Sequence, residues 1–466
     1  MSDEAHPNTP RPARSPSRAF LAALAVCMAL GLVLAGCDEP DSLAAIRSSG
    51  TLVVLSENSS HGYYQYQDQS RGFEYELARA FAGYLGVRLQ VVTPPQEKRL
   101  AFLSQGSAQM IAAGLHVTEA GRDFLDYSVP YRLVQQELVV NRFSRKIRTP
   151  KDFEGLNIHV RKGSFFEYLL RQEAGNFPPF TVVAHPEGEQ ELFLEDVNDR
   201  HMEATVADHQ VALLARRYYP DIHPAFSFPG ESPLAWAVKK GDRKLLAEIN
   251  RFLVLARKNG TIERIWNRYY RDLEDFDYLE MKRFHRHVKT RLPQYKDAFV
   301  DAARKNGFDW RLLAAVSYQE SRFDPHAEST TGVQGLMQLT GAAAAEMGVG
   351  NRLNPRENLR AGAAYLRKLY DRFPEVPEPD RLFLALASYN AGYGTVLEAR
   401  RLAQKKGLDP DRWADLCKTL TILRSGKRYE AMADGFSPGP APVRYVRRVL
   451  TYYEILARKA VIFQRA

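Results

Sequence analysis

The hydrophobic pattern of this chain changes period once, near residue 272, and that change limits its fold more than any other feature. Between about residues 43 and 271, short β-branched runs alternate with helical stretches. Thr51–Leu55 is one such run, preceded by Gly50. Glu74–Leu85 then sets Leu77, Ala80, Phe81, Tyr84 and Leu85 at helical spacing, and Gly86 stops it. Val87–Val92 follows with period-2 alternation. The pattern repeats at Leu138-Val139-Val140 and at Leu156–Val160. Alternation of this kind predicts an α/β sheet with crossover helices, and its repetition predicts a second lobe. After Asp272 strand signals largely vanish. Helices are predicted over Tyr295–Lys305, closed by Asn306-Gly307, and over Trp310–Phe323, capped by Asp309 and ended by Asp324-Pro325. Further helices are predicted over Leu359–Phe373, Asp380–Tyr389 and Val443–Ala457. The charged stretch 272–292 reads as a junction, ending before Pro293 and lacking any Gly/Ser linker. The expectation is a two-lobed α/β domain over 43–271 and an all-α domain over 293–466.

With 466 residues there is material for two such cores. The net charge of +9 favours an anionic partner: nucleic acid, anionic lipid or an acidic polymer. No zinc-finger spacing or aromatic-basic motif is present, so nucleic acid is not expected. Three cysteines, Cys27, Cys37 and Cys417, build no disulfide framework, and Cys417 reads as a small buried hydrophobe. His285 and His287 fall in a basic stretch and read as part of a solvated face. No metal and no cofactor is expected.

Residues 1–36 read as a secretory leader. Arg11, Arg14 and Arg18 precede an apolar run from Phe20 to Ala35, shorter than the roughly 20 residues a spanning helix needs. The run ends Leu34-Ala35-Gly36-Cys37, which resembles the bacterial lipobox. That resemblance implies cleavage before Cys37, lipidation of Cys37 and a tether over 37–42, with the protein anchored to a membrane and facing the periplasm. The outer membrane is favoured. Asp38 opposes that choice, because an aspartate there resembles an inner-membrane retention signal.

Four segments of the first region carry a resemblance to periplasmic solute-binding proteins of the polar amino-acid type: Gly72–Leu77, Thr118-Glu119 with Arg122, Asp126–Tyr131 and Asn259–Ile262. The resemblance implies two lobes that close on a small ligand. It also implies an arginine on the ligand carboxylate, for which Arg122 is the candidate at one extra residue of spacing, and an acid on the ligand amine, for which Asp208 is the candidate. An ordinary surface ion pair explains Arg122 as well, and a helix N-cap before Gln210–Arg216 explains Asp208 as well.

In the second region Leu313, Val316, Glu320 and Phe323 share one helical face. A carboxylate on an apolar face is costly and tends to hold its proton, the state that a general acid needs. A glutamate turned to solvent at the helix end is the plainer explanation from position alone. Glu320-Ser321, Thr331–Leu339 with Gly335-Leu336-Met337-Gln338, Ser388–Gly392 and Arg444-Tyr445-Val446 follow in order, and together they resemble the lysozyme-like lytic transglycosylases of the Slt type. The resemblance implies that Glu320 is the single catalytic residue, cleaving peptidoglycan strands. By the same resemblance Gly335 admits the glycan, Gln338 and Asn390 hydrogen-bond it, Ser321 steadies the site, Tyr389 lines the cleft or packs in the core, and Tyr445 tunes Glu320. Asp324 and Glu328 read as solvated loop acids rather than a second catalytic carboxylate. Two other functions stay open: a muramidase that uses water, and a non-catalytic envelope solute sensor. A small wall-derived peptide or amino-acid-like ligand is the expected partner of the first domain.

Overall fold

The computed structural model describes residues 41–59, 61–66, 69–271, 273, 277–425 and 441–463. The leader, Cys37 and Asp38 lie outside the described residues, as does Asp272 at the start of the junction.

The first region folds as two lobes, each around its own sheet. Strand Thr51–Leu55 runs parallel to Arg88–Val92, with helix Phe73–Leu85 as the crossover. The full order is Arg88–Val92, Thr51–Leu55, Met110–His116, Ser232–Lys239 and Leu125–Tyr127, with Arg132–Val134 pairing along Ser232–Lys239 as well. The second sheet runs Thr181–His185, Asn157–Arg161, Ala204–Asp208, Gln136–Asn141 and Ile222–Ser227. Both sheets mix parallel and antiparallel pairs, because the chain crosses between lobes twice and returns. The crossings touch: Gln136 Nε2 donates to Ser232 Oγ at 2.7 Å. Glu74 braces the first lobe from inside. Its buried carboxylate accepts from Trp236 Nε1 at 2.9 Å, from the Gly114 amide at 3.0 Å and from the Tyr131 hydroxyl.

The second region is all helical: Tyr278–Thr290, Lys296–Asn306, Trp310–Ser321, Gly341–Glu346, Pro355–Asp371, Asp380–Ala391, Tyr393–Lys405, Trp413–Ser425 and Ala441–Phe463. Gly307, at φ +67°, ends Lys296–Asn306, and Asp309 accepts from the Arg311 amide at 2.8 Å to start the next helix. That helix stops at Ser321, short of the expected Phe323, because Arg322 and Phe323 both turn left-handed, at φ +56° and +59°.

The junction contains a helix, Tyr278–Thr290. One expectation about it is corrected: its histidines are buried rather than solvated, because the charged stretch hides an apolar face. Phe284 packs on Tyr318 and Tyr452 at 4.7 and 4.6 Å between ring centres. His285 Nε2 donates to the Arg217 carbonyl at 2.9 Å, and burial among arginines pushes His287 down to about 4. Cys417 is only half-buried, its thiol pushed up by burial to about 12.

One apolar cluster runs from Tyr218, Tyr219 and Ile222 of the second lobe through Met281 and Phe284 into the helical core, so the domains share packing. The last helix crosses that interface. The Arg458 guanidinium pairs with Glu191 and sits over the Tyr218 ring at 4.7 Å. Half-buried Glu454, one turn earlier, is attracted by Arg71, Arg217 and Arg458. Removing one partner of a buried pair leaves an uncompensated charge. Arg458→Ala is therefore expected to weaken docking of the domains by about 3 kcal/mol, read in calorimetry as separation of one unfolding transition into two. A single unchanged transition would show that the pair carries no docking energy.

Candidate active site

Glu320 is the penultimate residue of helix Trp310–Ser321, whose preceding turns are buried from Leu312 to Tyr318. The antiparallel last helix brings Tyr445 over it. The Tyr445 hydroxyl, itself buried, donates to Glu320 Oε1 at 2.7 Å. Desolvation pushes the Glu320 carboxyl up to about 7 against the opposing pull of that hydrogen bond. As a whole residue Glu320 is half-buried. Burial and the neighbouring Glu320 charge hold Tyr389 and Tyr445 well above the usual phenol range, so both stay protonated donors.

The turn Gln334–Leu339 faces the same helix end. Ser317 and Ser321 hydroxyls both reach the Leu336 carbonyl, at 3.0 and 2.9 Å. Ser321 is thus spent inside the protein and steadies the turn. The Tyr389 hydroxyl donates to the Met337 carbonyl at 2.7 Å, while its ring packs edge-on against Tyr365. Tyr389 therefore serves the core and borders the site together. Gln338 takes φ +46°, a backbone region uncommon outside glycine. Its amide nitrogen holds the Ala327 and Gly335 carbonyls at 2.9 and 3.0 Å, leaving its oxygen as an acceptor. Asn390 is exposed near the end of helix Asp380–Ala391.

The role expected of Gly335 needs correction. It is buried at φ +83°, and a Cβ there would lie 2.2 Å from the Arg352 carbonyl oxygen and 2.4 Å from Asn358 Nδ2. The protein's own packing demands the glycine, not the approach of a sugar. Asn358 is the residue that sequence reasoning missed. Fully buried, it accepts from the Met337 amide at 2.7 Å and donates to the Gln334 and Arg352 carbonyls at 3.0 and 2.8 Å. The signal was available: one amide on the apolar stripe of Leu359, Gly362, Ala363 and Leu366.

Asp324 and Glu328 are both engaged locally in the loop that follows Glu320. Asp324 caps its own turn through the His326 amide at 3.0 Å, and Glu328 accepts from Gln334 Nε2 at 2.9 Å.

A concavity of about 410 Å³ lies between the lobes of the first domain. Asp208 lines it, but its side chain caps no helix. It accepts from Gln136 Nε2 at 3.0 Å and faces His116 Nε2 at 3.2 Å. Arg122 does not line the cleft, which corrects its expected role. Thr118 caps the short turn Glu119–Arg122, and the extra residue carries Arg122 outward to Glu119, at 3.5 Å. The position before it is Gly121, where a Cβ would fall 2.1 Å from the Tyr127 hydroxyl. The cleft's positive charge comes instead from Arg99 and Arg161, which sequence reasoning did not single out.

Residues 297–411 match the model of the transglycosylase SLT domain, and residues 51–272 that of the bacterial extracellular solute-binding proteins, family 3. Proteins named membrane-bound lytic murein transglycosylase F align along nearly the whole chain. That of Desulfosudis oleivorans is 45% identical over 90% of this chain and 93% of its own length. That of Alcanivorax borkumensis is 37% identical over 94% and 95%.

A carboxyl that keeps its proton in the fold to about pH 7, but has an ordinary value of 4.5, destabilises the fold as pH rises between the two. Glu320→Gln should therefore leave thermal stability unchanged near pH 4 and raise it above pH 7 by about 1–3 kcal/mol. Equal stabilities at both pH values would contradict the burial argument.

Proposed function

The chain belongs to the family of membrane-bound lytic murein transglycosylases F, and from that premise we propose that Glu320 serves in turn as acid and as base in a glycan cleavage that uses no water. The enzyme is a peptidoglycan lytic transglycosylase. Glu320 first donates its proton to the glycosidic oxygen leaving C1 of N-acetylmuramic acid, and the C1–O bond breaks. The sugar's N-acetyl group stabilises the cation-like centre. Ionised Glu320 then removes the proton of the 6-hydroxyl as that oxygen bonds to C1. A 1,6-anhydromuramoyl end forms and Glu320 is protonated again.

One observation carries this reading: a single dry carboxyl near pKa 7 in contact with a protonated phenol. A value close to the working pH suits a group that must give and retake a proton. Tyr445 stabilises the ionised state halfway through the cycle. The free oxygen of Gln338 and the exposed amide of Asn390 are suited to acetamido and hydroxyl groups of the sugar.

The first domain is read as a sensor of a small wall-derived ligand. Support comes from the continuity of its cleft with the interface: Glu189 and Gln190 line the cleft, and Glu191 holds the helix that carries Tyr445. The envelope setting is read from the leader and Cys37, with the outer membrane favoured. Among the described residues no helix is long and apolar enough to cross a membrane.

Digestion of purified sacculi tests the chemistry. Products are expected one water, about 18 Da, below those of hydrolysis, since the sugar's own hydroxyl is the attacker. Glu320→Gln should lower turnover by about 10³. Tyr445→Phe removes a bond that favours the ionised form, so the alkaline limb of the activity profile should move to higher pH. Reducing-end products, or full turnover by Glu320→Gln, would reject the mechanism.

A further inference from the structure

We propose that the first lobe seats on a membrane leaflet through a basic concavity beside Asp41, and that anionic phospholipid headgroups occupy it. The inference rests on the reading of Cys37 as the lipid anchor.

The concavity, of about 710 Å³, lies at the edge of the first sheet where strand Met110–His116 begins and strand Ser232–Lys239 ends. Lys239, Lys240, Arg243 and Lys244 line it, and the last three are exposed. Two carboxylates share the lining, Asp41 and Asp242, and both are already engaged. Asp41 accepts from the Leu43 amide at 3.1 Å and from Lys244 Nζ at 2.7 Å. Asp242 accepts from the Leu245 amide at 3.3 Å, where it caps helix Arg243–Lys258. Asp126 stands 3.3 Å from Lys240 Nζ and also accepts from the Gly241 amide at 2.8 Å. The cations therefore outnumber the acids around the concavity. The side chains of Lys240 and Lys244 are 54% and 73% exposed, and ion pairs in that setting are weak enough to be exchanged for a phosphate.

The second observation is position. Asp41 is where the expected tether meets the fold, and its bond to Lys244 and its cap on helix Ser42–Ser49 fix it at the concavity. Cys37 precedes it by four residues, and four residues span at most about 14 Å. Acyl chains on Cys37 thus bring headgroups within reach of Lys240, Arg243 and Lys244. A single tether leaves the protein free to turn about it. It also holds the nearby surface at high effective concentration, so that weak ionic contacts become enough to choose one orientation.

That orientation has consequences for both domains. The interlobe cleft is lined by His116, at the other end of strand Met110–His116, so a seated lobe keeps the cleft off the leaflet. The domains share packing, so the seat also fixes how Glu320 stands to the membrane.

Co-sedimentation with vesicles tests the seat, using the mature chain from residue 37 with Cys37→Ala, so that no acyl chain contributes. At low salt the chain is expected to bind vesicles of phosphatidylcholine mixed with phosphatidylglycerol at least about tenfold more tightly than phosphatidylcholine alone. Lys240→Ala, Arg243→Ala and Lys244→Ala together should remove that preference, each costing about fivefold, at an unchanged melting temperature. A control set with the same loss of charge, Arg401→Ala, Lys405→Ala and Lys406→Ala, is exposed on the helical domain and should keep the preference. Equal binding to both kinds of vesicle, or equal loss in the two sets, would overturn the seat and leave the anchor reading untouched. Mass spectrometry of the protein extracted from membranes tests that reading separately: an unacylated Cys37 would overturn it whatever the vesicles show.

Discussion

The contact between the Tyr445 hydroxyl and Glu320 Oε1, 2.7 Å across two helices, is the constraint around which the helical domain is arranged. A carboxyl taken from water must hold its proton or find a donor. Here it does some of both: desolvation lifts it to about 7, and one phenol keeps it from rising further. Two charged neighbours would lock either state. One neutral, buried donor leaves the two states close in energy, which is what a group serving both halves of a reaction requires.

That contact depends on the last helix lying where it does, and three sets of contacts place it. Arg448 and Tyr452 bind Glu280 of the junction helix, at 3.0 and 2.7 Å. Tyr453 reaches Asp309, the cap of the Glu320 helix, at 3.1 Å. Arg458 pairs with Glu191 in the second lobe. Tyr445 and Arg458 lie on one helix, so the contact at the acid and the contact with the second lobe belong to the same element. The charges buried along the same helix make that seam less forgiving than an oily one: each must keep its partner in any arrangement the domains adopt.

Much of this was legible from residue pattern. Strand Thr51–Leu55, helix Phe73–Leu85 and the helices around Glu320 follow their periodicity and caps closely, since propensity, burial and capping agree there. The Glu320 environment was legible only through the motifs that follow it, because an acid at a helix end reads from position alone as a residue turned to solvent. Other residues read wrongly for local reasons. His285 and His287 sit among so many charges that their buried face is masked in one dimension. Gly335 signals positive φ equally well for a ligand or for a neighbouring Asn358, and only the fold distinguishes these. Arg122 shows how one inserted residue turns a side chain out of a cleft when the turn's cap stays at Thr118.

The two sites differ in kind, and the difference explains why one was readable and the other was not. A proton-transfer site answers to chemistry internal to the reaction, so its acid, its dry wall and its donor recur as a recognisable set. A binding cleft answers to its ligand. Its scaffold is held by Glu74 and its bonds to Trp236 and Gly114, and the side chains at the mouth carry no part of that framework. In this chain Gly121 stands before the outward-turned Arg122, and His116 and Gln136 already engage Asp208, so the two contacts the residue pattern suggested are not offered to the cleft together.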